Sequence, residues 1–293
     1  YAAGGDGVFG GGTDGGSNVY GSDNTMVGHG AGYAITTGQD NVILGSVAGN
    51  VLTTGYGNVI VGKGAASAAT TAKRNVIIGE LACGAGVLAN ASSTLGMNNV
   101  VIGQAAGYDL TTGESNILLG TDAGANFTDN TRNIAIGFGA MDAANTGENN
   151  NIAIGNNALG AETSGADYCI AIGYDALVLQ NGDVTNTAIG SFAGAELVGG
   201  AGNTLVGYNA GNQLDANEGY NTFVGHDAGS NADGAESNTF IGAQAGGLGV
   251  ATGDDNVAIG RYAGYDLTDG PGNVLVGNAA GANMTTGDYN VAI

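Results

Sequence analysis

The sequence predicts an all-β protein, a parallel β-solenoid of the left-handed β-roll type with about sixteen coils of 17 or 18 residues. Two observations lead to this fold class. One short motif returns throughout residues 24–293, and the composition combines 59 Gly with one Pro and no Trp. Glycine has no period of three, which argues against collagen, and Val, Ile and Leu are too frequent for disorder. Order must therefore come from stacking of a short unit.

The repeated motif is Asn, three residues and Gly. Its anchors are Asn24, Asn41, Asn58, Asn75, Asn99, Asn116, Asn133, Asn151, Cys169 in place of Asn, Asn186, Asn203, Asn221, Asn238, Asn256, Asn273 and Asn290. Neighbouring anchors are 17 or 18 residues apart, except one pair that is 24 apart. We therefore expect a continuous array over residues 24–293 with a lateral bulge at 83–98. Residues 1–23 are expected to form glycine-rich N-terminal coils or a filament junction.

The three residues between Asn and Gly are apolar or Thr, which is the chemistry of a strand. Val42-Ile43-Leu44 and Thr222-Phe223-Val224 are examples. The unit is shorter than helical repeats of about 33 to 45 residues, and two glycines per unit would weaken a helix. Each unit therefore predicts one solenoid turn, whose strand stacks on the next at about 4.8 Å.

Three columns of identical residues are expected to have structural roles. The Asn side chains should cap the bend before each strand and bond their copies one turn along, as a ladder. The Gly that ends each strand should need a positive φ or a close backbone approach, and the Ala three residues later should fill a narrow corner. Representative members of these two small-residue columns are Gly45, Ala48, Gly120, Ala123, Gly207, Ala210, Gly260 and Ala263.

Both faces of each strand are apolar. The first and third residues point one way and the second points the other, and all three positions are mostly aliphatic. A narrow solenoid covers only its inner face, so the opposite face predicts a homo-oligomer, a dimer or a lateral filament contact. The chain stops one residue before the next Gly, at Ile293, which suggests either truncation or head-to-tail stacking of coils.

The charge favours some partners over others. With 26 acidic and 5 basic residues the formal charge is −21, which disfavours nucleic acid and membrane surfaces. No segment resembles a membrane span. Acidic turns such as Asp254-Asp255 could bind calcium, although a hydrated turn is the simpler interpretation. Cys83 and Cys169 are expected roughly 24 Å apart, too far for a disulfide. No cofactor, metal cluster or catalytic constellation is recognisable, so we expect no enzyme.

Three segments carry a family resemblance. Asn-Ile-Ala-Ile-Gly at 133–137, Asn-Thr-Ala-Ile-Gly at 186–190 and Asn-Val-Ala-Ile-Gly at 256–260 each have an Ala three residues after their Gly. They resemble YadA-like head repeats of trimeric autotransporter adhesins and, more closely, the Asn-x-Ala-Ile-Gly arrays of phage tail-fibre-like bacterial proteins. The resemblance implies a left-handed parallel β-roll, usually a trimer, at an extracellular cell or virion surface.

The leading functional prediction is a structural repeat protein that forms an extracellular fibre, with cell adhesion as a consequence. A phage or injection-system tail-fibre shaft is one alternative. An ice-binding solenoid is another, and it requires a regular Thr face. Exposed Tyr columns could contact glycans, although packing at subunit contacts or ordinary surface exposure is the simpler explanation; their members are Tyr33, Tyr108 and Tyr265, and Tyr174 and Tyr208.

Overall fold

A computed structural model of the chain describes residues 9–10, 23–86, 96–161, 166–182, 184–215, 218–247, 249 and 252–293. These residues form short strands joined by turns, and no helix occurs among them. The predicted parallel β-solenoid is thereby confirmed. The tip of the expected bulge, at 87–95, and most of the N-terminal segment lie outside the described residues.

The chain divides into two compact units, Tyr1–Asn150 and Asn151–Ile293. The strands of the first unit are β1 (Phe9–Gly10), β2 (Thr25–Val27), β3 (Val42–Leu44), β4 (Val59–Val61), β5 (Val76–Ile78), β6 (Val100–Ile102), β7 (Ile117–Leu119) and β8 (Ile134–Ile136). Those of the second are β9 (Ile152–Ile154), β10 (Ile170–Ile172), β11 (Thr187–Ile189), β12 (Thr204–Val206), β13 (Thr222–Val224), β14 (Thr239–Ile241), β15 (Val257–Ile259), β16 (Val274–Val276) and β17 (Val291–Ala292).

Strands pair in parallel with the equivalent strand of the next coil. In the first unit this holds from β2 to β8, and in the second from β9 to β17. The register never slips, so Ile43 pairs with Ile60 and Ile60 with Ile77. Among the described strands, a single pairing is antiparallel, and it places β1 beside β2. Each sequence column thus becomes a physical row along the stack.

The core is a narrow file of side chains inside each coil. The second residue of each strand from β3 to β16 is fully buried, as are the Ala that follow the strand-ending Gly in most coils. A further column, represented by Leu52, Leu110 and Leu267, completes the interior. Phe223 and Phe240 stack on each other with ring centroids 4.9 Å apart. The first and third strand residues therefore form the outer face.

The Gly that ends each strand has both properties expected of it. At Gly45 φ is +136°, a conformation that side chains rarely adopt. A Cβ atom there would lie 2.5 Å from the carbonyl oxygen of Gly62 in the next coil. Glycine at this position therefore allows successive backbones to approach at strand spacing.

Candidate functional site: the asparagine ladder and the outer strand face

The Asn side chains form a hydrogen-bonded ladder inside each unit, which in the second unit is interrupted at Cys169. Asn41 donates its backbone N–H to Asn24 Oδ1 over 3.0 Å and its Nδ2 to the same oxygen over 2.9 Å. The same Nδ2 also donates to the carbonyl of Gly55, over 2.9 Å. Each amide thus connects the start of one strand to the amide before it and to the turn after it.

The backbone part of this pattern recurs along the column. The N–H to Oδ1 bond is present at Asn41, Asn58, Asn75, Asn99, Asn116 and Asn133 in the first unit, and at Cys169, Asn203, Asn221, Asn238, Asn256, Asn273 and Asn290 in the second. Apart from the exposed Asn290, the ladder Asn are buried. Burying an amide without hydrogen-bond partners costs free energy, so a coil shifted out of register would be destabilised. The ladder therefore fixes both the register and the spacing of successive coils.

Cys169 occupies the ladder position of its coil, and Gln180 links it by hydrogen bonds to the next ladder residue. Gln180 Nε2 donates to Cys169 Sγ over 2.9 Å, while Gln180 Oε1 accepts from Asn186 Nδ2 over 2.9 Å. The thiol also contacts the carbonyl of Val184, at 2.7 Å. Gln180 is fully buried in the column that holds Leu197 one coil later. Sequence analysis missed it, although a polar residue in an aliphatic column is a readable signal.

Two buried carboxylates lie three residues before a ladder Asn, where most coils have Gly or Ala. Glu148 is fully buried and accepts a hydrogen bond from Asn130 Nδ2. Glu218 accepts from the backbone N–H groups of Asp215 and Gly234. Burial raises the pKa of Glu218 above its ordinary value; these backbone donors oppose the shift, and nearby acidic groups add to it. Sequence analysis missed both of these buried carboxylates.

The outer strand face consists of the first and third residues of β2 to β8 in the first unit and of β9 to β16 in the second. These side chains are half-buried or exposed, with fractions up to 43% at Val27 and 41% at Leu119. They are Val, Ile or Leu, except that the first position is Thr in several strands. Thr187, Thr204, Thr222 and Thr239 form four successive Thr rungs. Each unit therefore presents an apolar strip, which is unbroken at the third strand position and interrupted by Thr at the first position of several strands.

The other predicted contact residues fall in turns. The rings of Tyr174, Phe192, Tyr208 and His226 follow one another with centroids 5.3, 5.9 and 5.2 Å apart. His226 Nδ1 also lies 2.9 Å from Asp227 Oδ2. Tyr33 is exposed, whereas Tyr108 and Tyr265 are half-buried.

The acidic turn at Asp254-Asp255 is exposed, and Asp254 Oδ1 accepts a hydrogen bond from the Glu236 N–H over 2.9 Å. Within the described ranges no group of three or more His, Cys, Asp or Glu residues is arranged to hold a metal ion. Both cysteines are buried free thiols, and burial raises the pKa of Cys83 to about 12.

Taken together, these residues form a stacked scaffold with an apolar outer strand face and with aromatic and acidic residues in its turns. In the part of the chain that the structure describes, no helix has the length and apolar character needed to span a membrane. No protein-family model matches the sequence, and no curated protein is significantly similar to it.

Proposed function

We propose that this β-solenoid repeat protein is the subunit of an extracellular fibre and that it self-associates through the outer strand face. The observation that supports this proposal is the apolar strip itself. Two mostly aliphatic side chains per coil stand in register on every strand, and several remain more than a third exposed. Contiguous apolar surface of this kind is rare on monomeric soluble proteins and marks an interaction surface.

A second copy of the chain is the partner that fits this strip best. The strip repeats at strand spacing, so an identical strip can match it coil for coil. A trimer about a common axis is our preferred stoichiometry, because the repeats resemble those of trimeric adhesin heads. Such a subunit would suit a surface fibre, an adhesin or a tail-fibre shaft at a cell or virion surface.

The test compares the wild-type chain with Ile117→Ser/Leu119→Ser, which makes β7 polar on its outer face only. We expect light scattering and electron microscopy to show oligomers or fibres for the wild type. The double variant should associate more weakly, with unchanged circular dichroism. Asp122→Ser, in the turn of the same coil, serves as the matched control and should behave as the wild type. A wild-type chain that stays monomeric at high concentration would contradict the proposal.

The Thr rungs of the second unit support one alternative, ice binding. Thr187, Thr204, Thr222 and Thr239 lie in register on the outer strand face, each two residues before Ile or Val. A regular row of hydroxyl and methyl groups on a flat sheet can order water. If this were the function, the protein would show thermal hysteresis, and Thr204→Tyr/Thr222→Tyr would abolish it. Absence of hysteresis in the wild type would leave self-association as the role of this face.

A further inference from the structure

The residue immediately before each ladder Asn occupies a left-handed turn position in nearly every described coil. Gly, Asn and Asp accept this conformation readily, whereas bulky residues adopt it rarely. Tyr nevertheless stands there three times, all in the second unit: φ is +63° at Tyr168, +60° at Tyr220 and +53° at Tyr289. Strained backbone positions cluster at functional sites, so these Tyr side chains are candidates for a functional role.

Two of these rings lie on a glycine of the preceding coil. A Cβ atom on Gly202 would lie 3.1 and 3.3 Å from Cδ1 and Cε1 of Tyr220. One on Gly272 would lie 2.6 and 2.7 Å from the same atoms of Tyr289. The backbone fixes this overlap, because the N–H of each Tyr donates to the residue before that glycine, over 2.9 and 3.0 Å. Because each glycine has no side chain, the Tyr ring can pack directly against the backbone of the preceding coil.

All three Tyr side chains are largely exposed. The exposed fractions are 65% for Tyr168, 72% for Tyr220 and 79% for Tyr289. Among the described residues, none of the three rings contacts another ring or a cation. The Tyr220 and Tyr289 rings, which pack against the preceding coil and are largely exposed, can stack on a ligand with little further loss of side-chain freedom.

The surroundings indicate the class of ligand. Asp288 directly precedes Tyr289, and Glu236 lies in the coil after Tyr220; both carboxylates are exposed and can accept hydrogen bonds from hydroxyl groups. Arg261 is the one basic residue in the sequence of this unit, which is rich in acidic residues. Anionic ligands are therefore repelled. A neutral pyranose combines a C–H face, which stacks on an aromatic ring, with a rim of hydroxyl donors.

We propose that Tyr168, Tyr220 and Tyr289 form a binding surface for neutral polysaccharide chains. Three coils separate the first two rings and four separate the last two, which corresponds to about 14 and 19 Å at strand spacing. A long glycan can therefore contact more than one ring and gain avidity. This surface goes beyond the proposed fibre, since the rings project from a turn and not from the outer strand face.

The test titrates the full chain with cellohexaose, mannohexaose and chitohexaose, and with hexagalacturonate as an anionic probe. Binding is followed by calorimetry and by tyrosine fluorescence, which no Trp obscures. We expect at least one neutral probe to bind and the anionic probe not to bind. Tyr220→Asn/Tyr289→Asn should weaken binding at least about tenfold, the order of a lost aromatic contact.

Asn is chosen because it tolerates the left-handed backbone, so the melting temperature should stay constant or rise. Tyr33→Asn removes a similarly exposed Tyr outside this column and should bind as the wild type. The Ile117→Ser/Leu119→Ser variant should also bind, which separates this inference from self-association. Failure of the wild type to bind any neutral probe at millimolar concentration would overturn the inference, as would unchanged binding by the Asn double variant.

Discussion

At the scale of single residues, the ladder Asn is the side chain on which most of the coil depends. An amide is the smallest group that offers two acceptor sites and two donors, and the buried members use both kinds. Asn116 accepts from Asn133 and donates to Asn99 Oδ1 and to the carbonyl of Asn130. Asp is nearly isosteric but lacks the two donors, and Leu lacks both the donors and the acceptor sites.

Replacing Asn116 by Ala should therefore lower the free energy of unfolding by about 2–4 kcal/mol, since buried donors and acceptors lose their partners. Urea or thermal unfolding measures the loss. Asn290→Ala removes a ladder residue that is exposed and should cost less than about 1 kcal/mol. Equal losses at the two positions would show that burial of the ladder is not the source of its contribution.

The Cys169 and Gln180 pair makes a second prediction. Either single change, Cys169→Asn or Gln180→Leu, leaves a buried polar group without its present partner. The double change restores the arrangement of the other coils and should be more stable than the sum of the singles predicts, by about 1–3 kcal/mol. A double-mutant cycle of unfolding free energies measures this coupling. Strict additivity would mean that the two residues act independently.

Glu218 makes stability depend on pH in a stated direction. Its folded-state pKa is raised, first by desolvation, so its contribution is complete below the ordinary Glu pKa of 4.5 and is lost as pH rises through the folded value. Glu218→Gln should therefore reduce the fall in melting temperature between acidic and neutral pH. Glu236→Gln, which removes an exposed carboxylate, is the matched control for the loss of one negative charge. A steeper fall in the Glu218 variant would reverse the assigned sign.

At the scale of elements, a three-residue strand gains its order from the coils above and below it. The approach distance between coils is set where the strand ends in Gly. A Cβ on Gly120 would lie 2.4 Å from the carbonyl oxygen of Gly137. At Gly147, in contrast, nothing lies within 4 Å of an added Cβ, although φ is +86°. A comparison of the two glycines therefore separates the effect of close approach between coils from the effect of left-handed backbone strain.

Gly120→Ala should destabilise the protein by about 3–5 kcal/mol, because the backbones of adjacent coils must move apart. Gly147→Ala should cost only about 1 kcal/mol, for the left-handed backbone alone. Thermal unfolding of both variants tests the difference. Similar melting temperatures for the two variants would show that the strand-ending Gly is needed for its backbone conformation and not for the close spacing of coils.

At the scale of the whole molecule, the apolar outer strand face and the net charge of −21 act against each other. Burial of aliphatic surface favours association, while like charges on neighbouring subunits oppose it. Because the face is similar in every coil, its contribution grows with the number of coils in contact. The balance between these two effects can be shifted by salt.

Self-association should therefore strengthen as sodium chloride is added, since the screening length falls to about 10 Å at 0.1 M. Light scattering at increasing salt measures this change. Calcium chloride at matched ionic strength separates screening from specific binding at the acidic turns. Equal effects of the two salts would argue against a calcium site, and weaker association with either salt would contradict the charge argument.

The sequence by itself determined the coil. Columns of Asn, Gly and Ala repeat with so little variation that the period, the strand positions and the parallel register follow from counting. This succeeds because an in-register stack brings each residue against its own equivalent, so the requirements of one coil are repeated in the next.

Only the tertiary structure decided which strand face is the core, since Ile43 and its flanking Val42 and Leu44 are equally apolar in sequence. It also decided that Glu148 and Glu218 are buried, that Gln180 pairs with Cys169, and that Tyr220 lies on Gly202. These features depend on contacts between residues 11 to 18 positions apart. The alternation of side chains along a strand does not determine these features. A strand with two apolar faces could turn either face toward the interior, and only contacts with other parts of the coil decide which face is buried.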